Sequence, residues 1–284
     1  MNPSDGAIGI FDSGVGGLSV LRHLRRALPY EDIIYVADQA HVPYGSRTVE
    51  EIRLYSEAIT RFLLEQGAKS VVVACNTASA AALNSLRGTF PATPIVGMEP
   101  AVKPAASLTQ SGVVGVLATP ATFASPRYGS LMKRFAADVT VLEDPCAGLV
   151  PLIEAGQIES PRTSELLESV LQPMVAAGAD TFVLGCTHYP FVRPLVETIL
   201  AREKNGRAYN IIDPAPAVAR QSARVLEEHG LQIMSTTPGG ITLYTTAPNE
   251  PLAHLAKLAL GEELPIHTLT WHNLTLETAE KATL

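Results

Sequence analysis

Two cysteines end short apolar runs in closely matching contexts, Val71-Val72-Val73-Ala74-Cys75-Asn76-Thr77 and Phe182-Val183-Leu184-Gly185-Cys186-Thr187-His188. Continuous apolar runs of this kind mark parallel strands buried on both faces. Ligand sites in open α/β sheets gather at the carboxyl ends of such strands. A lone strand cysteine is ordinarily a small buried hydrophobe; two at equivalent strand ends point instead to a pair of opposed proton-transfer groups. Asn76 and Thr77 are good caps for a helix over Ala78–Arg87, and Pro190 and Pro194 suit the entry to a helix carrying Leu195–Leu200. A thiol near a helix N-terminus has its thiolate stabilised, from a pKa of about 8.5 toward neutrality, and serves as base in one state and acid in the other. The third cysteine, Cys146 in Glu143-Asp144-Pro145-Cys146-Ala147-Gly148, lacks this setting and reads as a structural thiol.

Three further constellations surround the cysteine strands. Phe11-Asp12-Ser13-Gly14-Val15-Gly16-Gly17-Leu18 runs from a strand through a glycine-rich turn into a helix. Its spacing is neither G-x-G-x-x-G nor a P-loop. Asp12 has two readings, a carboxylate that orients a nearby thiol and a helix cap. The loop His41-Val42-Pro43-Tyr44-Gly45-Ser46 leaves the same strand edge, as a ligand contact or simply a turn. His188, two residues after Cys186, is either a structural residue or a proton partner of that thiol. The single Trp271 reads as packing.

The elements that must position these residues alternate strand and helix. Strands are predicted at Ala7–Phe11, Ile33–Ala37, Ser70–Ala74 and Pro94–Met98, and a second series at Val113–Ala118, Val139–Glu143, Thr181–Gly185 and Tyr209–Ile212. Helices are predicted at Leu18–Ala27, Thr48–Gln66, Ala78–Arg87 and Ser164–Ala177. Such alternation implies parallel sheets of right-handed βαβ units. One plan is used twice: Gly9–Ser13 parallels Gly115–Thr119, Ile33–Asp38 parallels Val139–Asp144 at the same offset, and Gly97–Ala101 resembles Ile211–Ala215. The remainder adds a helix at Ala217–His229, a strand at Thr242–Thr246, a helix at Leu252–Leu260 and a last strand at Ile266–Thr270.

The 284-residue chain is 46% hydrophobic and 17% charged, as globular proteins are. No apolar run reaches the roughly 18 residues of a membrane span. The N-terminus lacks a basic region and an apolar core, so a cytoplasmic location is expected. A net charge of −7 without a Lys/Arg block argues against nucleic acid as an intrinsic ligand. Three widely spaced cysteines without C-x-x-C make a disulfide framework or a metal site an unfavoured expectation.

Jointly the motifs Asp12-Ser13-Gly14-Val15-Gly16-Gly17, Pro43-Tyr44-Gly45, Cys75-Asn76-Thr77-Ala78-Ser79, Leu117-Ala118-Thr119-Pro120-Ala121-Thr122 and Cys186-Thr187-His188-Tyr189-Pro190 resemble those of the glutamate racemase family, in family order from about residue 7 to residue 214. The resemblance implies a cofactor-independent isomerase that interconverts L- and D-glutamate for peptidoglycan synthesis, with Cys75 and Cys186 as the acid/base pair. It implies that Asp12 assists the first cysteine and His188 the second, with Asp38 and Glu154 in supporting roles. Ser13, Tyr44, Gly45, Asn76, Thr77, Thr119 and Thr187 match substrate-contact positions. The implied fold is α/β, two similar flavodoxin-like domains with mainly parallel sheets and the active site at their interface. The first domain would take residues 1–99 and 210–270, the second 100–209, with 271–284 as a C-terminal tail. A homodimer is expected, and glutamate is the expected small-molecule partner. Racemisation of aspartate or a related amino acid is an alternative, although that branch typically carries Glu where His188 stands. A small-anion binding or regulatory protein is the other.

Overall fold

The computed structural model describes residues 3–203, 208–248 and 250–278. Its strands are β1 (Ala7–Asp12), β2 (Ile33–Ala37), β3 (Ala68–Val73), β4 (Ile95–Val96), β5 (Val113–Leu117), β6 (Thr140–Asp144), β7 (Thr181–Leu184), β8 (Asn210–Ile212), β9 (Ile241–Thr245), β10 (Ile266–His272) and β11 (Thr275–Thr278). They form two sheets, ordered β11-β10-β9-β2-β1-β3-β4 and β6-β5-β7-β8. The pairings are parallel apart from β10 with β11. The chain divides into two compact units, one ending at Met98 and resuming at Ala215, the other Glu99–Pro214.

The duplication expected from sequence is visible in the strand order, since β2-β1-β3-β4 within the larger sheet is repeated as β6-β5-β7-β8. In each sheet the first strand of the plan has its next two neighbours in sequence on opposite sides. The connections therefore diverge there, opening a crevice at the carboxyl ends of β1 and β3 and, in the other unit, of β5 and β7. The apolar runs follow from position: every residue of β1 and of β7 is buried. Phe11 of β1 and Val71 and Val73 of β3 share one buried cluster with Tyr44, Cys75 and Ala78. The second sheet has its own cluster, with Val114, Val116, Tyr128 and Val183.

Four expectations are corrected. The domain boundary expected between residues 209 and 210 moves to 214/215, because the strand read in the second series at Tyr209–Ile212 pairs with β7 through Thr181↔Asn210, Phe182↔Ile211 and Val183↔Ile212 and completes the second sheet. The strand expected at Pro94–Met98 is only Ile95–Val96, because the Met98 amide donates to Ser79 Oγ at 3.0 Å instead of to a strand. The segment called a tail from residue 271 continues β10 to His272 and turns back as β11. Asn273 and Leu274 turn the hairpin at φ 43° and 64°, the left-handed pair a two-residue turn of matching twist requires. Residues 279–284 of that segment lie outside the described residues. Finally, the helix after β3 starts at Asn76, not Ala78, and its N-cap is Cys75 itself.

Candidate active site

The Cys75 side begins with β1 and β3, hydrogen-bonded side by side up to Phe11↔Val73. Asp12 ends β1 and Cys75 follows β3 by one residue beyond Ala74, so both reach the same sheet edge. As N-cap of the helix Asn76–Thr89, Cys75 accepts a hydrogen bond at Sγ from the Ala78 amide at 3.4 Å. That placement favours negative charge on the sulfur, because the first amides of a helix lack intrahelical partners. The Cys75 thiol also lies 3.8 Å from Ser13 Oγ, and Ser13 Oγ lies 3.4 Å from Asp12 Oδ1. Thiol, hydroxyl and carboxylate thus stand in line, all buried.

Asp12 is held from its other oxygen. The Gly17 amide donates to Oδ2 at 2.7 Å, and the Tyr35 hydroxyl donates to the Gly14 carbonyl at 2.6 Å, pinning the turn between them. Gly17 has no alternative: a Cβ there would stand 2.8 Å from Asp12 Cβ and 2.9 Å from the Tyr35 ring and hydroxyl. One carboxylate oxygen of Asp12 thus secures the turn and the other faces Ser13, while the helix Leu18–Ala27 takes Gly17 as its N-cap without a side-chain cap. Asn76 and Thr77 form the first turn of the helix. The Asn76 side chain is 4% exposed, yet neither Nδ2 nor Oδ1 has a hydrogen-bond partner. A buried amide left so costs several kcal/mol unless something else satisfies it, about 1–3 by mutational measures.

The loop after β2 places Tyr44 and Gly45 in a short 3-10 turn, Tyr44–Ser46, preceded by a cis Val42–Pro43 bond. The Tyr44 hydroxyl donates to Asp38 Oδ2 at 2.7 Å. Burial, then the Asp38 carboxylate and more distantly Cys75 and Asp12, push the Tyr44 phenol well above its usual range, so it keeps its proton. Asp38, fully buried, is the hub of a separate network. It also accepts from Thr246 Oγ1 at 2.9 Å and from Trp271 Nε1 at 2.8 Å, and His41 Nδ1 lies 2.9 Å from its Oδ2.

The Cys186 side is built on β5 and β7. The Gly185 amide donates to the Leu117 carbonyl at 2.7 Å, and a Cβ at Gly185 would stand 2.8 Å from that oxygen. This close approach aligns the strand ends that carry Thr119 and Cys186. Thr119 caps the short helix Pro120–Phe123, its hydroxyl 3.0 Å from that of Thr122. Thr187 is buried beside Cys186. Cys186 Sγ lies 3.7 Å from His188 Nδ1, and His188 Nε2 lies 2.6 Å from Glu154 Oε1 at the end of the helix Leu149–Glu154. Burial alone would lower the His188 pKa, but its hydrogen bonds to Cys186 and Glu154 outweigh that and raise it well above 6.5. An imidazolium with Nε2–H on Glu154 and Nδ1–H on the sulfur is the state this geometry favours.

The two thiols therefore have unlike surroundings, a helix N-terminus with a Ser–Asp pair for one and a His–Glu pair for the other. Sequence reasoning passed over Trp271 and Thr246, read only as packing and as a strand end. It also set Cys146 aside. That thiol is buried at φ 45°, and burial, then Asp144, then Cys186 push it up, so it lies within the field of the second site. No local pattern announces any of these.

A family model described as Asp/Glu/Hydantoin racemase matches residues 8–222. A glutamate racemase of Pseudomonas aeruginosa is 54% identical over 255 residues, covering 90% of this chain and 94% of its own. The solved glutamate racemase isoform RacE1 of Bacillus anthracis superposes with a TM-score of 0.82 at 29% identity, over 95% of this chain and 98% of its own. That of Escherichia coli, solved with L-glutamate and the activator UDP-MurNAc-Ala, gives 0.80 at 31% identity over 96% and 99%. Among the described residues no helix is long and apolar enough to cross a membrane. The chain belongs to the Asp/Glu/hydantoin racemase family and, within it, to the glutamate racemases.

Proposed function

We propose that this enzyme racemises glutamate by a two-thiol mechanism in which Cys75 and Cys186 act on the same α-carbon. One thiolate takes the α-proton, leaving a carbanion delocalised into the substrate carboxyl group. The other thiol delivers a proton to the opposite face, and the enantiomer leaves with the two sulfurs in exchanged protonation states. Asp12, through Ser13, serves the Cys75 sulfur; Glu154 keeps His188 charged beside Cys186. The unpartnered Asn76 amide, with Ser13, Tyr44, Gly45, Thr77, Thr119 and Thr187, supplies neutral hydrogen bonds for the substrate's charged groups. Production of D-glutamate for peptidoglycan is part of the same reading, as the family resemblance implies.

The observation that carries it is the matched pair of buried thiols at equivalent strand ends, each with its own proton partner. The test is deuterium incorporation from D₂O starting from each enantiomer, in the parent and in Cys75→Ala and Cys186→Ala. The parent should wash deuterium into the α-position as it racemises, and each variant should lose full turnover. Racemisation by either variant at near-parent rate would refute the mechanism.

A further inference from the structure

We propose that Trp271, on the C-terminal hairpin, is a positioning residue of the Cys75 half-site, acting through Asp38 and Tyr44; this rests on the two-thiol reading above. The contact joins residues 233 apart in sequence, the Trp271 indole N–H donating to Asp38 Oδ1 at 2.8 Å. Asp38 carries no solvent exposure, so its oxygens depend on protein donors. Oδ1 takes Trp271 and Thr246, Oδ2 takes Tyr44, and His41 Nδ1 lies 3.1 Å from Oδ1 and 2.9 Å from Oδ2.

The ring is as well placed as its N–H. Trp271 meets His41 edge-on at 5.1 Å between centroids and Tyr55 at 5.5 Å, while His41 stacks on Tyr55 at 3.9 Å and 12°. The loop carrying Tyr44 and Gly45 is thereby boxed between the helix Val49–Glu65 and β10. Tyr44 in turn shares the buried cluster of Cys75 and Ala78.

The consequence is chemical. Because Tyr44 spends its only proton on Asp38 and shares the buried cluster of Cys75, its phenol oxygen is left as an acceptor in that half-site. It is then oriented to receive a hydrogen bond from the substrate ammonium or the Cys75 thiol. Without the indole N–H the carboxylate loses a donor it cannot replace from solvent, and the Tyr44 oxygen loses its fixed direction.

The experiment uses the full chain and four forms: parent, Trp271→Phe, Asp38→Asn and the double variant. Trp271→Phe keeps an aromatic ring and deletes the N–H. We expect its kcat/KM for glutamate to fall about tenfold, the scale of one hydrogen bond to a charged acceptor. In the Asp38→Asn background the same change should cost less than about twofold, because residues acting through one partner are not additive. A Trp that merely packs costs the same factor in both backgrounds, and that result overturns the proposal, as does parent kcat/KM in Trp271→Phe. Dissociation constants for glutamate from thermal-shift titration provide the same four-way comparison if Asp38→Asn does not turn over. His272→Ala, on the exposed neighbour in β10, is the control expected to match the parent. Failure of the parent to racemise glutamate rejects the two-thiol reading instead, so the two failures are distinguishable.

Discussion

Replacing Glu154 by Gln exchanges one carboxylate oxygen for an amide NH2, removing the negative charge while changing the shape very little. His188 is 2% exposed and the Glu154 side chain 12%, with 2.6 Å between Nε2 and Oε1, so the pair is sheltered from the screening that makes surface pairs weak. A hydrogen bond of this charge-assisted kind is worth about 1.5–3 kcal/mol. Its loss shifts the ratio of imidazolium to imidazole at His188 by about ten- to a hundredfold. Burial already opposes the charged form, so the variant's His188 should titrate at lower pH than the parent's. The stability consequence has a definite sign. A histidine whose folded pKa is raised contributes stability fully present below its unfolded value near 6.5 and lost as pH rises through the folded value. The parent should therefore exceed Glu154→Gln in stability most at mildly acid pH, with the gap closing as the solution becomes alkaline. Urea midpoints across pH measure this, and an NMR titration of the His188 ring measures the protonation directly. Racemisation should fall more at pH 8 than at pH 6, since acid restores the imidazolium. An unchanged His188 titration in Glu154→Gln would refute the reasoning, for the carboxylate would not then be what holds the proton.

Two other substitutions probe the first half-site. Gly17→Ala places a methyl 2.8 Å from Asp12 Cβ and 2.9 Å from Tyr35, an overpacking that costs about 1–3 kcal/mol. Its melting temperature should drop by several degrees and its kcat with it, measured by calorimetry and circular dichroism; parent values for both would mean the turn relaxes freely. Asn76→Ala removes two buried polar atoms that have no protein partner, so the ligand-free protein should lose little stability or gain some. Its stabilisation by saturating glutamate should shrink, and a thermal shift equal to the parent's would remove Asn76 from the substrate site.

The motifs that speak plainly in the sequence are local ones. Cys75 and Cys186 each close an apolar strand, so composition over seven residues locates both at a sheet edge. The duplication was legible for the same reason, because βαβ order is written along the chain. Strand ends were less so: Pro94–Met98 shortens because Ser79, on the packed helix, captures the Met98 amide. Cys75 as its own helix's cap was hidden too, since Asn76 and Thr77 are better caps by residue type and only the backbone angles decide which residue serves.

By itself, then, the sequence determined the α/β alternation, its duplication, the two thiols at strand ends and, through resemblance, the family. Tertiary structure alone decided what each thiol meets. Glu154 reaches His188 from the end of its helix, Ser13 stands between Asp12 and Cys75, and Trp271 reaches Asp38 from 233 residues along the chain. The physical reason is that strand-forming pattern is a property of neighbours in sequence. A buried charge instead finds its partners only after the sheet has assembled, among side chains whose spacing along the chain carries no trace of the contact.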